Sequence, residues 1–110
     1  MTPVEVVQGQ FDAYNAQDLE RFMTFYAPNA VLASFNGDVL AEGAEAVRAR
    51  HANLFSTYPN NRARLVNRIA FANTVIDHED VERVPGGERF EVAAIYTLKN
   101  GLIARVDFAK

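Results

Sequence analysis

Two histidines, His51 and His78, and no cysteine set the chemistry this chain can do near neutral pH. His78 sits at the middle of Thr74 to Val81, the one segment that mixes apolar and ionisable residues. As a group that titrates near neutrality it can act as a general acid or base, with Asn67 placed to orient a substrate carbonyl. The plainer alternative is a histidine satisfied by Asn67 or a backbone carbonyl on a sheet face. His51 shares the choice: a core histidine, or part of a polar pocket set with Gln10 and Tyr26. Tyr14 and Tyr96 can each supply a pocket wall and a hydroxyl donor, although aromatic residues on apolar faces usually belong to a core.

The run Asp77-His78-Glu79-Asp80 invites a metal reading, with His51 completing a two-histidine, one-carboxylate set. Strand alternation sends Asp77 and Glu79 away from His78 and Asp80, so no metal site is expected. Asp77, Glu79 and Glu82 are then expected on a solvated or interface face, partnered by Arg64, Arg68 or Arg83. Arg105 and Asp107 read as a surface ion pair. Gly86-Gly87 is a turn with no helix after it to receive phosphate, and Ser34 lacks the setting of a nucleophile. No cofactor is implied.

These residues need elements to position them. Thr2-Pro3-Val4-Glu5 has the form of a capping box, opening a helix whose Val4, Val7, Phe11 and Tyr14 fall on one face, flanked by Gln10. Asp18 can cap a second helix with Leu19, Phe22, Met23 and Tyr26 inward, ended by Pro28. Ala30 to Phe35 and Val39 to Glu42 form a hairpin around Asn36-Gly37-Asp38. From Gly43 to Tyr58 a third helix puts Ala44, Val47, His51, Leu54, Phe55 and Tyr58 on one stripe, so His51 points inward.

From Ala63 the period becomes two. Leu65, Asn67, Ile69 and Phe71 share one strand face; Arg64, Val66, Arg68 and Ala70 share the other. A turn at Ala72-Asn73 pairs Asn67 with His78, on the face expected to meet a cavity. Phe90, Val92, Ala94, Tyr96 and Leu98 form the apolar face of the next strand, whose facing depends on the loop length at Pro85-Gly86-Gly87. Asn100-Gly101 is the strongest hairpin signal and leads into Leu102 to Phe108. The expected architecture is α+β, a cone of three N-terminal helices on a strongly curved, mainly antiparallel sheet that encloses a pocket.

The 110 residues make one domain, 1–110, 49% apolar and 23% charged, with a net charge of -3 that gives no electrostatic basis for nucleic-acid binding. No apolar run is long enough to cross a membrane, there is no signal-peptide pattern, and the cysteine-free chain is expected in the cytoplasm.

The segments Tyr14-Asn15-Ala16-Gln17-Asp18-Leu19, Phe25 to Val31, Gly43-Ala44-Glu45-Ala46-Val47-Arg48 and Lys99 to Ile103, in this order, resemble the nuclear transport factor 2-like superfamily over essentially the whole chain. They are most similar to its ketosteroid isomerase and SnoaL-like polyketide-cyclase branch. The isomerase mechanism needs a base carboxylate, with a tyrosine and a protonated aspartic acid to hold the oxyanion. By the resemblance Gln10 replaces that tyrosine, Ser34 replaces the base, and no carboxylate stands in Ala94 to Tyr96; a supporting tyrosine is retained as Tyr26 and another replaced by His51. Steroid isomerisation by that route is not expected. The resemblance implies instead a domain for a small apolar molecule; on the inferred facing of the residues, cofactor-free acid/base isomerase, cyclase or lyase chemistry on a carbonyl compound is expected to be carried by His78 and Asn67, with Gln10, Tyr14, Tyr26, His51 and Tyr96 around the ligand. The alternative is a non-catalytic ligand-binding or protein-interaction module. Either is expected to form a homodimer through the convex sheet face.

Overall fold

The first helix, α1 (Pro3–Ala16), starts where its capping box places it: the Thr2 N–H donates to Glu5 Oε1 at 2.7 Å and the Glu5 N–H to Thr2 Oγ1 at 3.2 Å. The computed structural model describes all residues, 1–110. Val6, Val7, Gln10, Phe11 and Ala13 are the buried residues of α1, whereas Val4 is exposed. The inner stripe is thus centred beside the expected one and includes Gln10 fully. Helix α2 (Leu19–Met23) is capped by Asp18, which accepts from the Arg21 N–H at 3.1 Å.

This second helix is shorter than expected. Tyr26 and Pro28 belong instead to strand β1 (Tyr26–Ser34). Pro28 is tolerated there because it falls in the irregular stretch between Tyr26 and Val31, where the ladder register slips and no backbone donor is demanded of it. The remaining elements are β2 (Val39–Glu42), α3 (Ala44–Thr57), β3 (Arg62–Phe71), β4 (Thr74–Glu82), β5 (Arg89–Lys99) and β6 (Leu102–Ala109).

The strands form one curled, unclosed sheet in the order β2-β1-β6-β5-β4-β3. Every pair is antiparallel except β1 and β6, which run parallel and join the N-terminal hairpin to the end of the chain. Asn100 and Gly101 both adopt positive φ, 53° and 78°, the tight turn that matches the twist of β5 and β6. The main core contains Val6, Val7, Phe22, Val47, Val75, Leu98, Ile103 and Val106, drawn from helices and strands together.

Strand facing departs from the expected pattern in β3 and in β4. Leu65 lies opposite Glu79 and Asn67 opposite His78, so Val66 is an extra residue that bulges out of β3. Before the bulge Ala63 is buried; after it, Arg68 rather than Asn67 or Ile69 turns toward Asp77. In β4 the buried residues are Val75, Asp77, Glu79 and Val81. Asp77 and Glu79 therefore face inward, correcting the expectation of a solvated face.

The reason lies in the neighbouring strand. Tyr96, Ala94, Val92 and Phe90 of β5 stand opposite Val75, Asp77, Glu79 and Val81. Burying that strongly apolar face carries the two carboxyls inside with it. His78, opposite Ala93, is on the other side.

Candidate functional site

A cavity of about 530 Å³ lies between the helices and the concave face of the sheet. Fourteen of its 21 lining residues are hydrophobic, which suits an apolar guest held in orientation by a few polar groups. Those groups come from α1 (Gln10, Tyr14), β1 (Tyr26, Ser34), α3 (Arg50, His51), β4 and the residue after it (Glu79, Arg83), β5 (Tyr96) and the residue after β6 (Lys110).

Gln10 joins two phenols. Tyr26 donates its O–H to Gln10 Oε1 at 3.1 Å, and Gln10 Nε2 donates to Tyr96 Oη at 3.0 Å and to the Val7 carbonyl at 3.1 Å. Tyr96 accepts in this chain, so its own proton remains available to a ligand. Burial pushes both hydroxyls well above the ordinary phenol range, with the nearby Glu79 adding to the effect, and both stay protonated.

His51 is held by the Val47 carbonyl, 2.9 Å from Nδ1. A carbonyl can only accept, so Nδ1 carries the proton and Nε2 keeps a lone pair that no protein donor takes up. The ring lies 4.4 Å from that of Phe22, centroid to centroid. Burial lowers its pKa to about 4, so at neutral pH it is an uncharged acceptor.

Glu79 is the only carboxylic acid in the cavity wall. It is buried, and its Oε2 has no hydrogen-bond partner. Desolvation first, and then the neighbouring Asp77 carboxylate, raise its pKa to about 8 against the opposing pull of Arg68. Asp77, although fully buried, is satisfied: Arg68 grips both its oxygens at 2.6 and 2.9 Å and extends Nη1 to Gln8 Oε1 at 2.8 Å. One carboxylate is neutralised by its partner; the other is left free to exchange a proton.

Tyr14 and Arg83 of the wall belong to a further polar set. Asn61 donates to Tyr14 Oη at 2.8 Å, and Arg83 Nη1 reaches both Tyr14 Oη at 3.2 Å and Asn61 Oδ1 at 2.8 Å. Burial raises the Tyr14 hydroxyl despite the opposing Arg83 charge.

Of the residues expected at a site, Gln10, Tyr14, Tyr26, His51 and Tyr96 do converge on the cavity. His78 and Asn67 do not. They are cross-strand partners as expected, but on the outer face, where His78 Nε2 sits 2.6 Å from Glu91 Oε1 and its side chain is 44% exposed. The Val66 bulge and the β5 pairing together invert the facing on which their assignment rested. No three histidine, aspartate or glutamate side chains are grouped to hold a metal ion, so His51, His78 and Asp80 do not assemble.

Glu79 was missed by reasoning from sequence, although a signal was present. Val75 and Val81 are in phase with it in β4, and only the competing phase of Ile76 and His78 masked that pattern. Arg83 offered no comparable signal, because it follows the strand in an irregular segment.

Comparison with known proteins agrees with the architecture. An uncharacterised cystatin-fold protein from Novosphingobium aromaticivorans superposes with a TM-score of 0.94 at 30% identity, over 100% of this chain and 99% of that one. A proposed polyketide cyclase from Sinorhizobium meliloti gives 0.81 at 20% identity, over 98% and 99% of the two chains. A proposed ketosteroid isomerase from Kribbella flavida gives 0.81 at 16% identity, over 96% and 74%. At those identities the last two share the fold alone. No curated protein sequence matches the chain. The model of the SnoaL-like domain matches residues 7–106, and with the cone of helices on a curled sheet this chain belongs to the SnoaL-like family of the nuclear transport factor 2-like, cystatin-like fold.

Proposed function

We propose that this domain, acting in the cytoplasm, binds a small, largely apolar carbonyl compound and moves a proton on it without a cofactor, with Glu79 as the proton carrier. The observation that carries this reading is a carboxyl group in the wall of an apolar cavity with an oxygen that no protein group satisfies. A ligand hydroxyl or C–H acid is the partner such a group lacks. Its pKa near 8 matches it to proton transfer in both directions close to physiological pH.

In the proposed step the Glu79 carboxylate takes a proton from the carbon beside the carbonyl. The electron pair moves onto the carbonyl oxygen, which Tyr96 stabilises through the O–H that Gln10 leaves unused. Return of the proton from Glu79 to a conjugated carbon, as the oxyanion reverts to a carbonyl, completes an isomerisation; attack of the deprotonated carbon on a second carbonyl of the ligand, whose oxygen takes the proton held by Glu79, completes a cyclisation. His51, neutral, accepts a hydrogen bond from a ligand hydroxyl.

The test is exchange of the α-protons of 2-tetralone in D₂O, followed by NMR. The wild-type protein accelerates exchange, with a rate that rises with pH and levels above about 8, and Glu79→Gln lowers it by about 100-fold or more. Equal exchange by the variant, with its fold intact by circular dichroism, rules the assignment out.

A second role is favoured by a separate observation. On the outer face of the sheet, Ile69 and Phe71 are 53% and 62% exposed on β3. We propose that this convex face pairs two copies of the chain, because Ile69 stands in one cross-strand row with Ile76 and Ile95, and an exposed apolar patch of this kind marks an interaction site.

A further inference from the structure

Across the chain, arginine is mostly paired: Arg48, Arg64, Arg68, Arg89 and Arg105 each meet a carboxylate. The three cations that line the cavity, Arg50, Arg83 and Lys110, meet none. A protein of net charge -3 thus keeps three unpaired cations around its cavity and a single, Glu79, carboxyl in the wall. Arg50 is exposed and stands at the opening, whereas Arg83 is half-buried.

Arg83 is also held in place. Nη1 is anchored on Asn61 and Tyr14, and the guanidinium lies 4.9 Å from the centroid of the Phe90 ring and 5.8 Å from that of Tyr58. No protein acceptor takes up Nε or Nη2. Tyr14 Oη, which lines the cavity, already accepts from Asn61 and from Arg83, so its remaining hydrogen-bonding capacity is its own O–H. Two neighbouring groups therefore present only donors, and both are fixed before any ligand arrives. A planar carboxylate complements that arrangement, since a guanidinium and a hydroxyl can serve its two oxygens at once.

We propose that Arg83 and Tyr14 form a carboxylate-binding subsite, so that the ligand of this domain is a small apolar oxo- or hydroxy-acid. The inference rests on the reading of Glu79 above and specifies its substrate: the acid end lies against Arg83 and Tyr14, and the carbonyl end lies against Glu79 and Tyr96. Arg50 and Lys110 add an electrostatic funnel for an anion at the rim. The apolar body between the two ends occupies the space lined by Phe11, Val92 and Phe108.

The test compares 3-benzoylpropionate with its methyl ester by isothermal titration calorimetry, at low and high salt. The acid binds the wild-type protein at least about tenfold more tightly than the ester, as expected for charge-assisted hydrogen bonds. Its advantage shrinks at high salt while the ester's affinity stays constant. Arg83→Gln removes the preference, Arg83→Lys restores part of it, and Tyr14→Phe reduces it several-fold. Equal binding of acid and ester by the wild type, or equal loss of both in Arg83→Gln, overturns the subsite even if Glu79-dependent proton exchange stands. Failure of both probes to bind overturns the subsite, whereas the reading of Glu79 stands or falls on proton exchange alone. The salt comparison on the wild type decides the question should Arg83→Gln fail to fold.

Discussion

Two cavity residues are held in opposite protonation states by the same cause. Burial disfavours charge, so Glu79 is raised to about 8 and His51 lowered to about 4. Their consequences for stability run in opposite directions. A raised folded-state pKa means that the Glu79 contribution is fully present below the ordinary carboxyl value of 4.5 and is lost as pH rises through about 8. A lowered one means that the His51 contribution is present above 6.5 and lost as pH falls through about 4. Between 4.5 and 6.5 the two slopes oppose each other; above 6.5 only Glu79 remains. Stability is therefore expected to fall by about 2 kcal/mol between pH 6.5 and 8, from about 1.4 kcal/mol per unit. Glu79→Gln flattens that fall and exposes the acid limb of His51. Urea denaturation across pH checks both, and an undiminished decline in the variant would place the alkaline loss elsewhere. At this scale sequence reading succeeded where a residue sat on a long, regular stripe, as His51 does on α3, and failed where its facing depended on a partner strand.

At the scale of the elements, the position of α1 is fixed by a close contact. A Cβ added at Gly9 would lie 2.5 Å from Phe25 Cζ and 2.6 Å from Cε1, inside van der Waals contact with a buried ring. Two effects compete in Gly9→Ala. Helix propensity favours alanine by about 1 kcal/mol, while overpacking against an aromatic ring costs about 1–3 kcal/mol. The ring has little room in the core, so the steric term wins and the variant is expected to be less stable by about 1–2 kcal/mol in chemical denaturation. A more stable variant would show that Phe25 can move aside. The helices and hairpins themselves were legible. The capping box, the Asn100-Gly101 turn and the α3 stripe are local, and local chemistry decides them. Pro28 misled because a proline after a helical pattern reads as a stop, and only the slipped β1–β6 ladder shows how a strand accommodates it.

For the whole molecule, the proposed pairing through the outer sheet face predicts a dimer by sedimentation velocity. Phe71→Asp, at a position already exposed, is expected to yield a folded monomer; a variant that remains dimeric would move the interface elsewhere. Such a dimer leaves the cavity on the opposite face of each sheet open, so the acid/base and carboxylate tests apply to either state. The amino-acid sequence by itself determined the α+β order of elements, the pairing of Asn67 with His78, and five of the polar residues that surround the cavity. The order and the pairing follow from period, caps and turns, which are properties of neighbours in the chain, whereas the cavity residues also drew on the family resemblance. Which face of the sheet turns inward, the parallel closure of β6 on β1 and the place of Glu79 and Arg83 in the cavity wall were decided only by tertiary structure. One bulged residue, Val66, reverses every side chain beyond it, and a strand's burial is set by the strand it pairs with rather than by its own composition.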